Sequence, residues 1–206
     1  MSDLASSYWR MRYSDPNGVK HHSRQNYQIS RDFLRQAREH PLINAALAGP
    51  AIIEIGCGTG ELSAMINELY RPTTIFATDF SREAVNQATV KHPTLFFRKF
   101  DILHDTIGHF FDLAVASNVL EHFKDYETML ERMFGLADRV LILVPYRQKG
   151  LDGYDMEGGA GHAVSFSLTS FKHYQTVEAF TFETPGWTHS GGREVPKQLA
   201  ILLAQK

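Results

Sequence analysis

Hydrophobic residues in this chain fall into short continuous runs, separated by stretches in which they recur every three to four positions. Ala51–Ile55, Thr74–Thr78, Thr94–Phe100, Phe111–Ser117 and Arg139–Val144 have the length and apolar continuity of buried strands, and Pro145 stops the fifth. Between them, Glu61–Tyr70 sets Leu62, Met65, Ile66 and Leu69 on one helical face. Ser81 caps a helix running through Thr89, and Tyr126–Ala137 turns Tyr126, Met129, Leu130 and Met133 inward. Val177–Thr184 and Gln198–Ala204 add two strands, which makes seven. Strands separated by helices predict an α/β protein: a doubly wound, mainly parallel sheet with helices on both faces.

The flanks read differently. The pattern from Ser23 to His40 predicts a helix, with Tyr27, Phe33, Leu34 and Ala37 sharing a face and Pro41 ending it. Asp15-Pro16-Asn17-Gly18 reads as a turn. Five glycines between Gly150 and Gly161 predict a loop leading into a final helix near Ser167–Tyr174. The expected organisation is an N-terminal helical cap or lid over residues 1–45, and a main domain over 46–206 carrying the glycine-rich loop 150–161.

Composition narrows the class. With 206 residues, 43% of them hydrophobic, the chain can bury one sizeable core. A net charge of −2 gives no general basis for binding nucleic acid by counterion release, so no nucleic-acid partner is expected. Cys57 is the single cysteine, which excludes an intrachain disulfide and fits a reducing compartment. Met1 to Arg10 has no apolar signal core, and no run approaches the roughly 20 apolar residues of a membrane span. A cytoplasmic protein is expected.

The chemistry concentrates at Ile52-Ile53-Glu54-Ile55-Gly56-Cys57-Gly58-Thr59-Gly60-Glu61, where a buried strand runs into three glycines and then a helix. Glycines there permit a tight turn and close approach of a ligand to the backbone. The spacing is G-x-G-x-G rather than the G-x-G-x-x-G of a dinucleotide site, and Glu61 stands where the last glycine of that fingerprint would be. A carboxylate beside a pyrophosphate would repel it, and no G-x-x-x-x-G-K-[ST] run is present. Glu54, just before the loop, suits a ligand carrying an amine or another positive charge.

Glu54-Ile-Gly56-Cys57-Gly58-Thr-Gly60 resembles the first motif of class I S-adenosylmethionine-dependent methyltransferases, in their type 11/12-like, small-molecule branch. Further matches follow in that family's order: Asp79-Phe80 after the second strand, Asp101-Ile102 after the third, Phe111 to His122 through Asn118 around the fourth, and Leu141 to Pro145 in the fifth. The resemblance spans about residues 50–205. It implies the Rossmann-like methyltransferase fold with S-adenosylmethionine as cofactor. Its binding residues would be Glu54, Gly56, Cys57, Gly58, Gly60, Asp79, Phe80, Asp101, Ile102 and Asn118. Asp79 would accept from the ribose hydroxyls and Asp101 from the adenine amino group, with Ile102 and Phe80 against the ring. Simpler roles are also open: Asp79 as a helix cap, Asp101 as a turn residue, Glu54 as a brace for the loop and Cys57 as a buried filler.

Methyl transfer to oxygen or nitrogen needs alignment, exclusion of water and, for many acceptors, a base. His122 is the first candidate and His162, in Gly161-His162-Ala-Val-Ser-Phe166, the second. Tyr146 and Arg147 follow the fifth strand as acceptor-pocket candidates, and Tyr8 and Trp9 belong to an aromatic N-terminal cluster that either closes the site, packs on the domain or joins a homodimer. No histidine spacing suggests a metal site. A small-molecule acceptor (a sugar, natural product or glycan precursor) is expected; a protein acceptor and a non-catalytic cofactor-binding regulatory subunit are the alternatives.

Overall fold

The computed structural model describes residues 3–147, 162–184 and 197–205. The glycine-rich loop 150–161 lies outside them. Helices α1 (Asp3–Ser14), α2 (Pro16–Ala37) and α3 (Pro41–Leu47) precede β1 (Ala51–Ile55). Then follow α4 (Glu61–Tyr70), β2 (Thr74–Asp79), α5 (Arg82–Lys91), β3 (Phe96–Lys99), β4 (Phe111–Ser117), α6 (Tyr126–Phe134), β5 (Ala137–Pro145), β6 (Gln175–Glu183) and β7 (Lys197–Ala204). The seven strands form one sheet in the order β3-β2-β1-β4-β5-β7-β6. The first five pair in parallel, while β7 runs antiparallel between β5 and β6.

Alternation along the central strands divides the core into two layers. Ile53, Ile55, Ala114, Ala116, Val140 and Ile142 face α6, whose Met129, Leu130, Met133 and Phe134 are buried with Phe166 and Phe171. Ile52, Leu113, Val115, Leu141 and Leu143 point the other way, toward Ile29, Phe33, Leu34 and Ala37 of α2, Ile43 and Leu47 of α3 and Leu62 and Ile66 of α4. Burying each of the larger aliphatic and aromatic side chains among them stabilises the fold by about 1.5–3 kcal/mol. The helix predicted from Ser23 is therefore part of the main core.

Three local expectations are corrected. Asp15-Pro16-Asn17-Gly18 starts α2: the Asp15 carboxylate accepts from the backbone N–H of Gly18 at 2.8 Å and of Asn17 at 3.2 Å, with Pro16 in the first helical turn. Pro41 begins a helix instead of ending one, again at a position where its missing N–H costs nothing. In place of a helix at Ser167–Tyr174 there is a 3-10 turn, Leu168–Phe171, after which β6 begins.

The chain leaves β1 toward β2 and β3 on one side and returns to β4 on the other. This reversal opens a crevice at the carboxyl ends of β1 and β4, the place where open α/β sheets bind ligands.

Candidate active site

Gly56, Gly58 and Gly60 all take positive φ, +74°, +55° and +84°. A side chain on Gly56 would meet that of Val119, and one on Gly58 would run into the Tyr13 hydroxyl. The loop thus lies flat between the end of β4 and helix α1. Asp79, at the end of β2, ties it down: one carboxylate oxygen accepts the Gly58 N–H at 2.9 Å and the other the Ser81 N–H at 2.8 Å. Ser81 itself caps α5 by accepting from the N–H of Ala84. Burial pushes the Asp79 carboxyl up to about 6, against the lowering effect of those two amides.

An open cleft lies above these strand ends. Its walls bring together Gly56, Asp79, Phe80, Asp101, Ile102 and Asn118, all drawn from different parts of the sequence, and add Trp9 and His122. Asn118 adopts a left-handed backbone with φ +53°, which asparagine tolerates better than most residues. Its N–H donates to the Leu143 carbonyl at 2.8 Å, and its buried side-chain oxygen has no hydrogen-bond partner. Asp101 caps its own turn, accepting from the Leu103 N–H at 3.0 Å.

The other sequence-selected residues do not line this cavity. Glu54 is buried beneath the loop, accepting from the Ser63 hydroxyl, and burial raises its carboxyl to about 7. Cys57 is buried, which pushes its thiol up. Glu61 is braced by Thr59, Ser23 and Lys91 at the start of α4. Tyr146 packs against the core and forms a bridge with Phe166, while the exposed Arg147 guanidinium lies 5.2 Å from the Tyr146 ring centre. Tyr8 stands edge-on to Trp9, at 5.3 Å between ring centres.

His162 is buried beside His122, 5.0 Å between ring centres. Its segment is held by N–H groups of Ala163 and Val164 that donate to the Glu121 carbonyl at 2.6 and 3.3 Å. Glu121, in a 3-10 turn over Leu120–His122, is fully buried, and burial raises its carboxyl to about 8. Tyr13, Phe100, Val119, Phe123 and Met129 also line the cavity. Tyr13 and Met129 had sequence signals, in the aromatic cluster and on the inward face of α6. Phe100 ended a predicted strand, with nothing to mark it as a wall.

Residues 53–139 match the family model of the methyltransferase domain. This stretch of the chain is similar to a methyltransferase domain. Over 96 residues, 46% of its length, it is 31% identical to a trans-aconitate 2-methyltransferase of Methylobacterium radiotolerans. It spans only 37% of that relative. The fold of this chain is similar to that of magnesium protoporphyrin IX methyltransferase from Synechocystis with bound S-adenosylmethionine, at a TM-score of 0.60 and 16% identity, covering 99% of this chain and 92% of that one. It is also similar to the N-methyltransferase NodS from Bradyrhizobium japonicum in complex with S-adenosylhomocysteine, with TM-score 0.60, 16% identity and coverage of 82% and 86%. Among the described residues, no helix is long and apolar enough to cross a membrane.

Proposed function

We propose that this protein binds S-adenosylmethionine in the β1–β4 crevice and transfers its methyl group to an oxygen or nitrogen of a small-molecule acceptor. The observation that carries the reading is the buried Asp79 carboxylate on the cavity wall. Two backbone amides hold it, and a carboxylate with about four acceptor sites has room for two hydroxyl donors more. The unpartnered Asn118 oxygen offers a further acceptor, and the apolar side chains of Phe80, Phe100 and Ile102 suit a flat heteroaromatic ring. These groups fit an adenosine, and the G-x-G-x-G loop followed by Glu61 departs from the glycine spacing of a dinucleotide site.

The cofactor supplies a methyl group on a sulfonium, already activated. The chain's task is then to position the acceptor in line, exclude water and handle the proton the acceptor loses. Trp9 and Tyr13 cover the cavity, and His122 on its wall is the residue placed to engage the acceptor. The relatives named above act, by their names, on trans-aconitate and magnesium protoporphyrin IX, which supports a small acceptor. The acceptor class we favour is a sugar, natural product or glycan precursor.

Calorimetric titration with S-adenosylmethionine and S-adenosylhomocysteine tests the cofactor. Saturable binding that Asp79→Ala weakens is expected; a folded protein that binds neither would overturn the reading. Screening small acceptors for labelled methyl uptake then tests the acceptor class.

A further inference from the structure

Glu121 presents a problem that the cofactor site does not solve. Its carboxylate is fully buried, and neither oxygen has a hydrogen-bond partner. A buried carboxyl without such partners keeps its proton until something of opposite charge sits against it. What surrounds it is a pair of imidazoles. Donor atoms of Glu121, His122 and His162 all lie within 4.8 Å of one another, and His162 Nε2 is 3.9 Å from Glu121 Oε1. The rings of the two histidines stand at 69° to each other, so that they converge without stacking.

The cluster is built by the fold. Glu121 and His122 are neighbours in the 3-10 turn after β4, and His162 is delivered by the backbone bonds of Ala163 and Val164 to the Glu121 carbonyl. The bridge between Tyr146 and Phe166 pins the same segment to the end of β5. Histidine spacing along the chain therefore carried no ligand pattern.

We propose that Glu121, His122 and His162 bind one divalent transition cation at the inner wall of the cavity. Two imidazole nitrogens and one carboxylate are a donor set for Zn²⁺, Mn²⁺, Fe²⁺ or Co²⁺, and three protein ligands leave coordination positions open. At bond lengths of about 2.0–2.2 Å the donors of one cation stand roughly 3–4 Å apart, so the three groups close inward by about an ångström. Of the three ligands, His122 lines the cavity, which brings the cation to the acceptor's side. What the cation does there rests on the methyl-transfer reading. It would hold an acceptor oxygen and make its hydroxyl more acidic, with His122 a ligand and the hydroxyl proton passing to solvent at the cleft's mouth as the O–CH3 bond forms and the S–CH3 bond breaks. The site itself rests only on the geometry.

The test uses the full chain without a histidine tag, stripped with EDTA and desalted. Titration with Co²⁺, read by visible absorption and by calorimetry, is expected to give one ion per chain. Glu121→Gln, close in shape and neutral, and His162→Gln are expected to weaken binding at least 100-fold, while the exposed-site control His173→Gln binds as the parent does. Mn²⁺ and Zn²⁺ should compete for the Co²⁺ site. No stoichiometric ion in folded protein, or equal binding by Glu121→Gln and His162→Gln, would overturn the proposal. Parallel titration of stripped protein with S-adenosylhomocysteine separates the two readings. Co²⁺ binding without nucleoside binding leaves the cation site standing and removes the cofactor, and the reverse result removes only the cation.

Discussion

The indole of Trp9 meets the imidazole of His122 edge-on, with 5.0 Å between ring centres and 76° between the planes. Helix α1 thereby touches the end of β4 across the cavity, and Tyr13 stacks behind Trp9 at 5.9 Å. An aromatic contact of this kind contributes about 0.5–1.5 kcal/mol beyond the area it buries. Trp9→Ala is expected to weaken S-adenosylhomocysteine binding by about 3- to 10-fold, measured by calorimetry. The fold should survive, because the residues of α2 in the core are untouched. Unchanged affinity and turnover would remove α1 from the site.

Asp79 should make cofactor affinity depend on pH. Its carboxyl is raised to about 6 by burial, and the ribose would be held by the ionised form. Affinity is expected to rise as pH increases through about 6 and to level off above it. Asp79→Asn should abolish that dependence and lower affinity by about 10- to 100-fold, the cost of losing charged acceptors. Calorimetry from pH 5 to 8 checks both.

Glu54 predicts a stability effect of the opposite slope. Burial raises its carboxyl from 4.5 to about 7, with the charges of Glu61 and Asp79 acting the same way and the Ser63 hydrogen bond opposing them. The native state then holds the proton more tightly than the unfolded chain. Its contribution to stability is complete below about pH 4.5 and is lost as pH rises to about 7, at no more than about 1.4 kcal/mol per pH unit. Glu54→Gln keeps an acceptor for Ser63 and removes the titration. Its stability relative to the parent should increase across that window, as read from urea midpoints at each pH.

Gly56→Ala should damage the loop for two reasons, the positive φ and the Val119 side chain that fills the place of a Cβ. The expected cost is about 1–3 kcal/mol together with loss of nucleoside binding. Adding Val119→Ala relieves the collision and leaves the backbone strain, so the double variant should recover only part of the stability.

Much of this arrangement was legible in the residues. Strands of a parallel sheet are buried on both faces, so β1, β4 and β5 read as unbroken apolar runs, and the loop glycines follow β1 directly. Gly56, Asp79, Asp101 and Asn118 sit at or just beyond strand ends, where the topology aims them at one crevice. Asp15 to Gly18 reads as a turn but starts a helix because the same residues serve both; only the direction taken by the following chain distinguishes them. Tyr13 and Met129 reach the cavity by the way α1 and α6 lie over the sheet, which periodicity does not specify. The meeting of His162 with Glu121 depends on backbone bonds between segments far apart in the chain.

The antiparallel strand β7 has a consequence for how the molecule assembles. Although it is the last strand in sequence order, it occupies an interior place, and the edge strand β6 is joined to the sheet only by pairing with it. Leu202 and Ala200 of β7 and Phe182 of β6 help to close the layer that covers α2. A helix near the start of the chain therefore waits for strands near its end before its apolar face is sealed. In the crevice half, β1, β2 and β3 pair with strands near them in sequence, and these with α4 and α5 can order earlier. Folding should be slow in the step that captures α2 and β6 together, as expected for contacts distant in sequence.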